Sequence, residues 1–173
     1  MEIRKIDSTQ AEMLSQLSKA IYKEYYLHLW HPGGADWYQN EHAYHPDKLR
    51  MELNDNNNQH YVVYENDMPL GYLKIRTTAV LQGYEAMNSL EIERIYLHKE
   101  IAGKGMGREL MLLSEAIAKE NNKQMIFLKA MDTSDDAIAF YQKMGYTICG
   151  RWSLPFEQMK EAYRGMVILS KPI

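Results

Sequence analysis

The stretch IAGKGMGRELM, residues 101–111, decides the fold class of this sequence. An alternating strand-like run precedes it and an amphipathic helical pattern follows it, so it forms a turn between a strand and a helix. The glycines at 103, 105 and 107 let the backbone turn tightly and approach a ligand closely. The first amides of a helix lack partners within it, and the helix dipole favours an anion there. Together with Lys104 and Arg108, these features predict a phosphate-binding site.

Other ligand-binding glycine turns have a different spacing. A P-loop requires Lys-Ser or Lys-Thr after its last glycine, and no such pair follows these glycines. A dinucleotide fingerprint requires a third spaced glycine, yet Arg108, Glu109 and Leu110 follow Gly107. A purely structural turn without a ligand is the remaining alternative, and only evidence from other parts of the sequence can exclude it.

The composition indicates one globular domain spanning residues 1–173. A net charge of −3 argues against nucleic acid as a partner. No apolar run reaches roughly 18 residues and the N-terminus lacks the apolar segment of a signal peptide, so no membrane partner is expected. The single cysteine, Cys149, cannot form an internal disulfide. We therefore expect a cytoplasmic protein, with Cys149 as a small core residue in an inner strand.

The periodicity predicts a mixed α/β (α+β) fold, with a central sheet of about seven strands and helices on both faces. Thr9 and Glu12 resemble a capping box at the start of a first helix, which Pro32 ends by Leu29 or Trp30. Ser134 is the expected cap of the last helix. The predicted strands are 2–6, 60–65, 70–76, 89–98, 124–131, 146–151 and 165–171, and the further helices are 46–53, 105–120 and 135–144.

Two segments resemble the GNAT family of N-acetyltransferases, and the resemblance covers most of the chain. The family's Q/R-x-x-G-x-G/A signature corresponds to residues 102–107, with Ala102 where Gln or Arg is usual. The segment DAIAFYQKMGY at 136–146 is similar to a second conserved segment of the family. The resemblance implies acetyl-CoA as the cofactor and Tyr141 beside its sulfur, as proton donor to the leaving thiolate. Ser134 stands where an Asn is common. The positions implied to bind coenzyme A are Ala102, Gly103, Lys104, Gly105, Met106, Gly107, Arg108, Ser134, Tyr141 and Lys143.

The strand SLEIERIYLH carries the candidate base. Strict alternation places Glu91, Glu93, Ile95 and Leu97 on one face and Ile92, Arg94 and Tyr96 on the other. In the family this strand separates from its neighbour, and the backbone near Ile95, Tyr96 and Leu97 pairs with the pantetheine arm. A family member uses a Glu at one of the two positions to deprotonate the amine through water, and we favour Glu93 over Glu91.

The first quarter of the chain is rich in aromatic residues, which in the family cover the acceptor side. We expect Trp30, Trp37 or Tyr38 to line the acceptor pocket, because aromatic rings give rigid walls and can hold a cationic amine. Several of them could instead anchor a long loop to the core. The histidines at 28, 31, 42 and 45 lack metalloenzyme spacing, so no metal is expected.

The sequence therefore predicts an acetyl-CoA-dependent acyltransferase, most similar in appearance to the small bacterial polyamine acetyltransferase subgroup. The expected acceptor is the primary amine of a small molecule such as a polyamine, and analogy with the family suggests a homodimer. A non-catalytic coenzyme A-binding or regulatory module on the same fold is one alternative. Acetylation of a protein or peptide N-terminus is another.

Overall fold

The computed structural model describes residues 1–173 and is built around one seven-stranded sheet, which agrees with the predicted strand number. The sheet order is β1-β2-β3-β4-β5-β7-β6, and only the β4–β5 pair is parallel, so the sheet is mixed. The strands are β1 (Glu2–Lys5), β2 (Asn58–Glu65), β3 (Met68–Ala79), β4 (Ser89–Leu97), β5 (Met125–Met131), β6 (Thr147–Ser153) and β7 (Gly165–Pro172).

The helices cover both faces of the sheet, as predicted, and form two separate cores. Leu14 and Leu49 pack with Val62 on one face, whereas Leu110 packs with Val63 on the other. Neighbouring strand residues point to opposite faces, so this adjacent valine pair serves both cores. The helices are α1 (Ala11–Tyr25), α2 (Gly34–Trp37), α3 (Pro46–Asn54), α4 (Met106–Glu120) and α5 (Asp135–Lys143).

The start and end of α1 differ from the prediction. The capping box lies two residues earlier than Thr9 and Glu12: the Asp7 carboxylate accepts the Thr9 N–H, and the Gln10 side chain accepts the Asp7 N–H. This box caps a short 3-10 turn that leads into α1. The helix ends at Tyr25, several residues before Trp30, and a second 3-10 turn follows it.

The predicted inner position of Cys149 is wrong, because β7 lies between β5 and β6 and makes β6 an edge strand. Cys149 is nevertheless partly buried against a small cluster that includes Met125 and Phe127. No helix of the structure combines the length and the apolar character that crossing a membrane requires.

Two irregularities in β4 shape the centre of the molecule. Lys74 of β3 lies opposite Arg94, while its neighbour Ile75 lies opposite Ile92, so Glu93 is the extra residue of a β-bulge. The extra residue changes which face of the strand the side chains before it point to. The sequence analysis placed Ile92 and Ile95 on opposite faces, and this is wrong, because both pack into the core on the α4 side of the sheet. Farther along, the β4–β5 pairing stops at Ile92, and the two strands separate.

Candidate active site

The glycine turn before α4 offers a row of free backbone donors. Gly103 and Gly105 have φ angles of 79° and 90°, which are left-handed values that favour glycine. The amides of Gly103, Gly105, Met106, Gly107 and Arg108 have no hydrogen-bond partner within the chain. Five free N–H groups at the positive end of a 15-residue helix fit a pyrophosphate group. No atom outside the turn lies within 4 Å of where a Cβ of Gly103 or Gly105 would be, so the turn is open.

A cleft of about 420 Å³ extends from this turn along the separated end of β4. Ile95 and Leu97 line it on one side, and Phe140 and Tyr141 of α5 on the other. The His98 N–H donates to the Leu70 carbonyl of β3 at 2.9 Å. Because backbone groups alternate in direction along a strand, Ile95 and Leu97 direct their peptide groups away from β3 and into the gap.

The predicted coenzyme-binding residues occupy different positions around this cleft. Arg108 lines it together with Ala102, whereas the Lys104 side chain is exposed and does not. Met106 buries its side chain in the core, so only its amide faces the turn. Lys143 is exposed at the end of α5 and lines neither cleft nor cavity.

Ser134 precedes α5 and lines the adjoining cavity described below. It occupies the predicted cap position, but its hydroxyl makes no capping hydrogen bond. That part of the prediction is wrong.

A second cavity, of about 500 Å³, adjoins the cleft. Tyr26, Ile95, Tyr96 and Tyr141 line both spaces, so the two are continuous. The volume is in the range of sites for small organic ligands. The walls are largely apolar, and seven aromatic rings contribute to them: Tyr22, Tyr26, Tyr38, Tyr96, Tyr141, Trp152 and Phe156.

Tyr141 stands at the junction of the cleft and the cavity. Its side chain is 9% exposed, and its hydroxyl makes no hydrogen bond with another residue. Burial raises the pKa of Tyr141 to about 12, so the phenol keeps its proton throughout the neutral range. The hydroxyl is therefore a permanent hydrogen-bond donor at the point where the two spaces meet.

Glu91 is buried and already fully paired. Arg76 donates to its Oε2 at 3.3 Å, and Lys129 donates to its Oε1 at 3.1 Å. The Glu91 side chain is 6% exposed, so little of it can reach a ligand. A carboxylate with a cation on each oxygen and little exposed surface is a poor candidate for a proton-transfer role.

Glu93, the bulge residue, keeps one oxygen available. Its Oε1 accepts from Lys74 at 2.9 Å and lies 3.4 Å from Arg94. The nearest cation to its Oε2 is Arg76, with Nε at 4.0 Å, beyond hydrogen-bond distance. The side chain is 28% exposed and lines the cavity, so the Oε2 atom is accessible to water or to an amine.

A buried ion cluster beneath the cavity was not foreseen from the sequence. Glu52 of α3 accepts two hydrogen bonds from Arg94, at 2.8 and 3.2 Å, and lies 3.1 Å from Lys74. Burial would raise the pKa of Glu52, but His60, Arg94 and Lys74 outweigh it and hold the pKa below its ordinary value. His60 is buried beside this cluster with neither ring nitrogen hydrogen-bonded, and burial lowers its pKa.

Of the three predicted acceptor-side aromatics, only Tyr38 lines the cavity. Trp30 is buried behind it, where its indole N–H donates to the Tyr22 hydroxyl at 2.8 Å. Trp37 packs outside the cavity, stacked on His42 with ring centroids 5.1 Å apart. The expectation that Trp30 and Trp37 line the pocket is therefore not met, because both support the wall from behind.

One wall of the cavity comes from the connection between β6 and β7, which the sequence interpretation missed. Leu154, Phe156 and Met159 line it, and Arg164 fixes the segment by donating to the Met159 carbonyl at 2.7 and 2.9 Å. The only sequence signal was apolar side chains in a segment that belongs to no strand. Such residues need a partner to cover them, and here they cover the cavity.

Comparisons with known proteins were made against families and individual proteins. A family model described as the acetyltransferase (GNAT) family matches residues 19–146. The chain is 31% identical over 101 residues to a protein of Lactobacillus delbrueckii subsp. lactis described as an uncharacterized N-acetyltransferase in the pepI 3' region. That match covers 58% of this chain and 58% of the relative, so it spans little more than half of the relative's length.

Solved structures share the fold over the whole chain. A PaiA N-acetyltransferase from Thermoplasma acidophilum, solved in complex with coenzyme A, aligns over 99% of this chain and 98% of its own, with a TM-score of 0.77 and 20% identity. A ribosomal-protein-alanine N-acetyltransferase from Brucella melitensis aligns over 100% of both chains, with a TM-score of 0.68 and 16% identity. At these identities the likeness supports the fold and says nothing about the acceptor.

Proposed function

The chain belongs to the acetyltransferase (GNAT) family, and from this premise we propose that it transfers an acetyl group from acetyl-CoA directly to a primary amine of a small molecule. The predicted enzyme class, an acetyl-CoA-dependent acyltransferase, is that of the family. One observation carries the proposal: a cleft with five free amides at one end is continuous with a second cavity that Tyr141 and Glu93 line.

The donor would occupy the cleft with its pyrophosphate on the glycine turn. Amides from Gly103 to Arg108 would hold the phosphates, and the free peptide groups of Ile95 and Leu97 would pair with the pantetheine amides as an added strand does. This pairing would bring the thioester to Tyr141, where the cleft meets the cavity. The two substrates would then react within one continuous space, which removes much of the entropic barrier.

The acceptor amine would reach the thioester from the cavity. The Glu93 Oε2 atom would take a proton from the ammonium through water, and the free amine would attack the thioester carbonyl. A C–N bond forms as the C–S bond breaks. The nitrogen loses two protons in all, of which one ends on the thiol and one in solvent.

Tyr141 would donate a hydrogen bond from its hydroxyl group to the departing sulfur. A thiol has an ordinary pKa of about 8.5, so the phenol is the weaker acid and stabilises the developing thiolate chiefly through a hydrogen bond. The raised pKa thus favours a donor that never loses its proton during the cycle.

The Tyr141→Phe variant tests this role. We expect kcat for thiol release to fall about 100-fold, with acetyl-CoA affinity unchanged, because only the hydroxyl is lost. Tyr146→Phe is the matched control, since Tyr146 is also buried and packs near Tyr141 but lines neither space. A Tyr141→Phe rate within twofold of the parent would remove Tyr141 from the mechanism.

A panel of amines tests the function itself. Acetyl-CoA and each amine, including peptides with free N-termini, are mixed with the protein, and thiol release is followed while calorimetry measures acetyl-CoA binding. Release with small amines supports the proposal, and release with peptides alone would replace it with peptide acetylation. Binding without release from any amine would indicate a non-catalytic coenzyme A-binding module. No binding at all would contradict both.

A further inference from the structure

We propose that the acceptor amine also carries an anionic group, a carboxylate or a phosphate, which binds at Arg76 and Lys129. This inference rests on the proposed function and concerns the acceptor half of the same cavity. It follows from the balance of charge around the cavity and from the partners that each charged side chain already has.

The lining of the cavity holds more cations than carboxylates. Four basic side chains face two acidic ones, which leaves an excess of two positive charges. The buried layer behind the lining adds Lys74 and Glu52, one of each sign, and leaves the excess unchanged. The charged lining residues are Lys48, Arg76, Arg94, Lys129, Glu91 and Glu93.

One of the two excess charges lies beside Glu91, and Lys48 carries the other. Arg94 is paired by Glu52 and by Glu93, so it has no unbalanced charge. Arg76 and Lys129, in contrast, share Glu91 as their close carboxylate partner, from opposite oxygens. Two cations thus flank a single carboxylate at the cavity surface.

Both cations keep donors free for a ligand. Arg76 uses one terminal nitrogen on Glu91, and Lys129 has one hydrogen-bond partner for its three N–H groups. Their side chains are 43% and 31% exposed, so they remain in reach of the cavity. Lys129 also lies over the Trp152 ring, 5.0 Å from its centroid, which limits the directions its chain can take. A planar guanidinium and an ammonium side by side match a carboxylate or phosphate.

The same balance disfavours a polyamine, the acceptor that the sequence resemblance implied. A polyamine brings two or more ammonium groups, and only one of them is consumed at the thioester. The others would need unpaired carboxylates, but Glu91 is fully paired and Glu93 has a single available oxygen. A polyamine would therefore add like charges to a cavity that is already positive.

Matched amine pairs test the inference. Thiol release gives kcat/KM for an aromatic amino acid against its decarboxylated amine, for phosphoethanolamine against ethanolamine, and for spermidine. We expect the anionic member of at least one pair to exceed its partner by at least tenfold, equivalent to about 1.4 kcal/mol, and spermidine to be the poorest acceptor. The pair that shows the preference identifies the anion. Equal or better use of the partners that lack the anionic group, or of spermidine, would overturn the inference and leave the proposed function standing. No release with any amine would count against the function itself.

Variants locate the anionic subsite. Lys129→Met and Arg76→Gln should each reduce the preference ratio about tenfold, through KM for the anionic acceptor more than through kcat. Lys123→Met removes the same charge from an exposed turn outside the cavity and should leave the ratio unchanged. The assignment of this subsite would be refuted if Lys129→Met and Arg76→Gln left the preference ratio unchanged. It would also be refuted if Lys123→Met reduced the ratio by the same factor.

Discussion

Replacing Glu52 by Gln tests whether the buried ion cluster beneath the cavity depends on that carboxylate. Glu52 joins α3 to the sheet through Arg94 and Lys74, whose side chains are 12% and 5% exposed. The substitution keeps the shape of the side chain and removes its charge. Both cations then retain Glu93 as their remaining carboxylate neighbour, so one positive charge stays buried without compensation.

The expected loss follows from this geometry. Removing one partner of a buried pair costs about 3–5 kcal/mol, and the lower end applies here because Glu93 compensates in part. For a chain of this size, about 3 kcal/mol corresponds to a decrease in Tm of about 6–12 °C. The protein should still fold, because typical domains have about 5–15 kcal/mol of stability.

Urea unfolding followed by tryptophan fluorescence measures this loss, and Glu12→Gln is the matched control. Glu12 pairs with Arg50 at 3.3 Å, but their side chains are 66% and 42% exposed. An exposed pair of this kind contributes about 0.2–1 kcal/mol. Equal losses for the two variants would refute the argument that burial, rather than pairing alone, sets the energy.

The pH dependence gives a second check on Glu52. Its pKa is lowered in the folded protein, so its contribution is complete above the ordinary value of 4.5 and declines as the pH falls towards the folded value. The difference in unfolding free energy between the parent and Glu52→Gln should therefore be constant at neutral pH and shrink below about pH 4.5. A difference that grows on acidification would contradict the direction of the shift.

Three further outcomes are expected. Gly105→Ala strains a residue with φ of 90° by about 1–2 kcal/mol and places a methyl group in the turn. Its affinity for coenzyme A, measured by calorimetry, should therefore fall at least tenfold. The control Gly83→Ala, with φ of 86° and no atom beyond its chain neighbours within 4 Å of the new methyl group, should lose stability without losing affinity. Trp30→Phe leaves the buried Tyr22 hydroxyl unpaired and should lower the free energy of unfolding, measured in urea, by about 1–3 kcal/mol. A tenfold change in the KM for the acceptor would show instead that Trp30 contacts the acceptor. Because the pKa of Tyr141 is about 12, deprotonation of Tyr141 should not reduce the parent's kcat below pH 10. A fall in kcat at alkaline pH that disappears in Tyr141→Phe would contradict the role of a permanently protonated donor.

The sequence was sufficient for the glycine turn because its signal is local. Glycines at the two positions with left-handed φ, followed by a helix, require no knowledge of the rest of the chain. The same holds for the strands, whose alternating apolar residues recur over short windows. The bulge at Glu93 has a weaker signal: apolar residues alternate at Leu90 and Ile92 and again at Ile95 and Leu97, with two adjacent polar residues between them. Only the pairing with β3 shows that Glu93 is the extra residue.

The charge of the cavity could not be predicted because its members are distant in the sequence. Glu52 lies on α3, Arg76 on β3, Glu93 on β4 and Lys129 on β5, and only the order of the strands and the packing of α3 on the sheet bring them together. The sequence therefore showed two glutamates on one strand as candidate bases, whereas the folded chain surrounds them with basic partners. Which aromatic side chains face the cavity also depends on packing, since Trp30 and Tyr38 are chemically similar but lie on opposite sides of its wall.

The separation of β4 from β5 leaves the sheet as two half-sheets joined along four residue pairs, from Ser89 opposite Met125 to Ile92 opposite Leu128. A donor molecule that pairs with β4 beyond this point would act as a removable piece of the sheet. By linkage, a ligand that binds only the folded chain raises its free energy of unfolding in proportion to the logarithm of ligand concentration. The lifetime of such a protein in a cell then depends on the supply of its own substrate, because the unloaded molecule opens more readily to proteases.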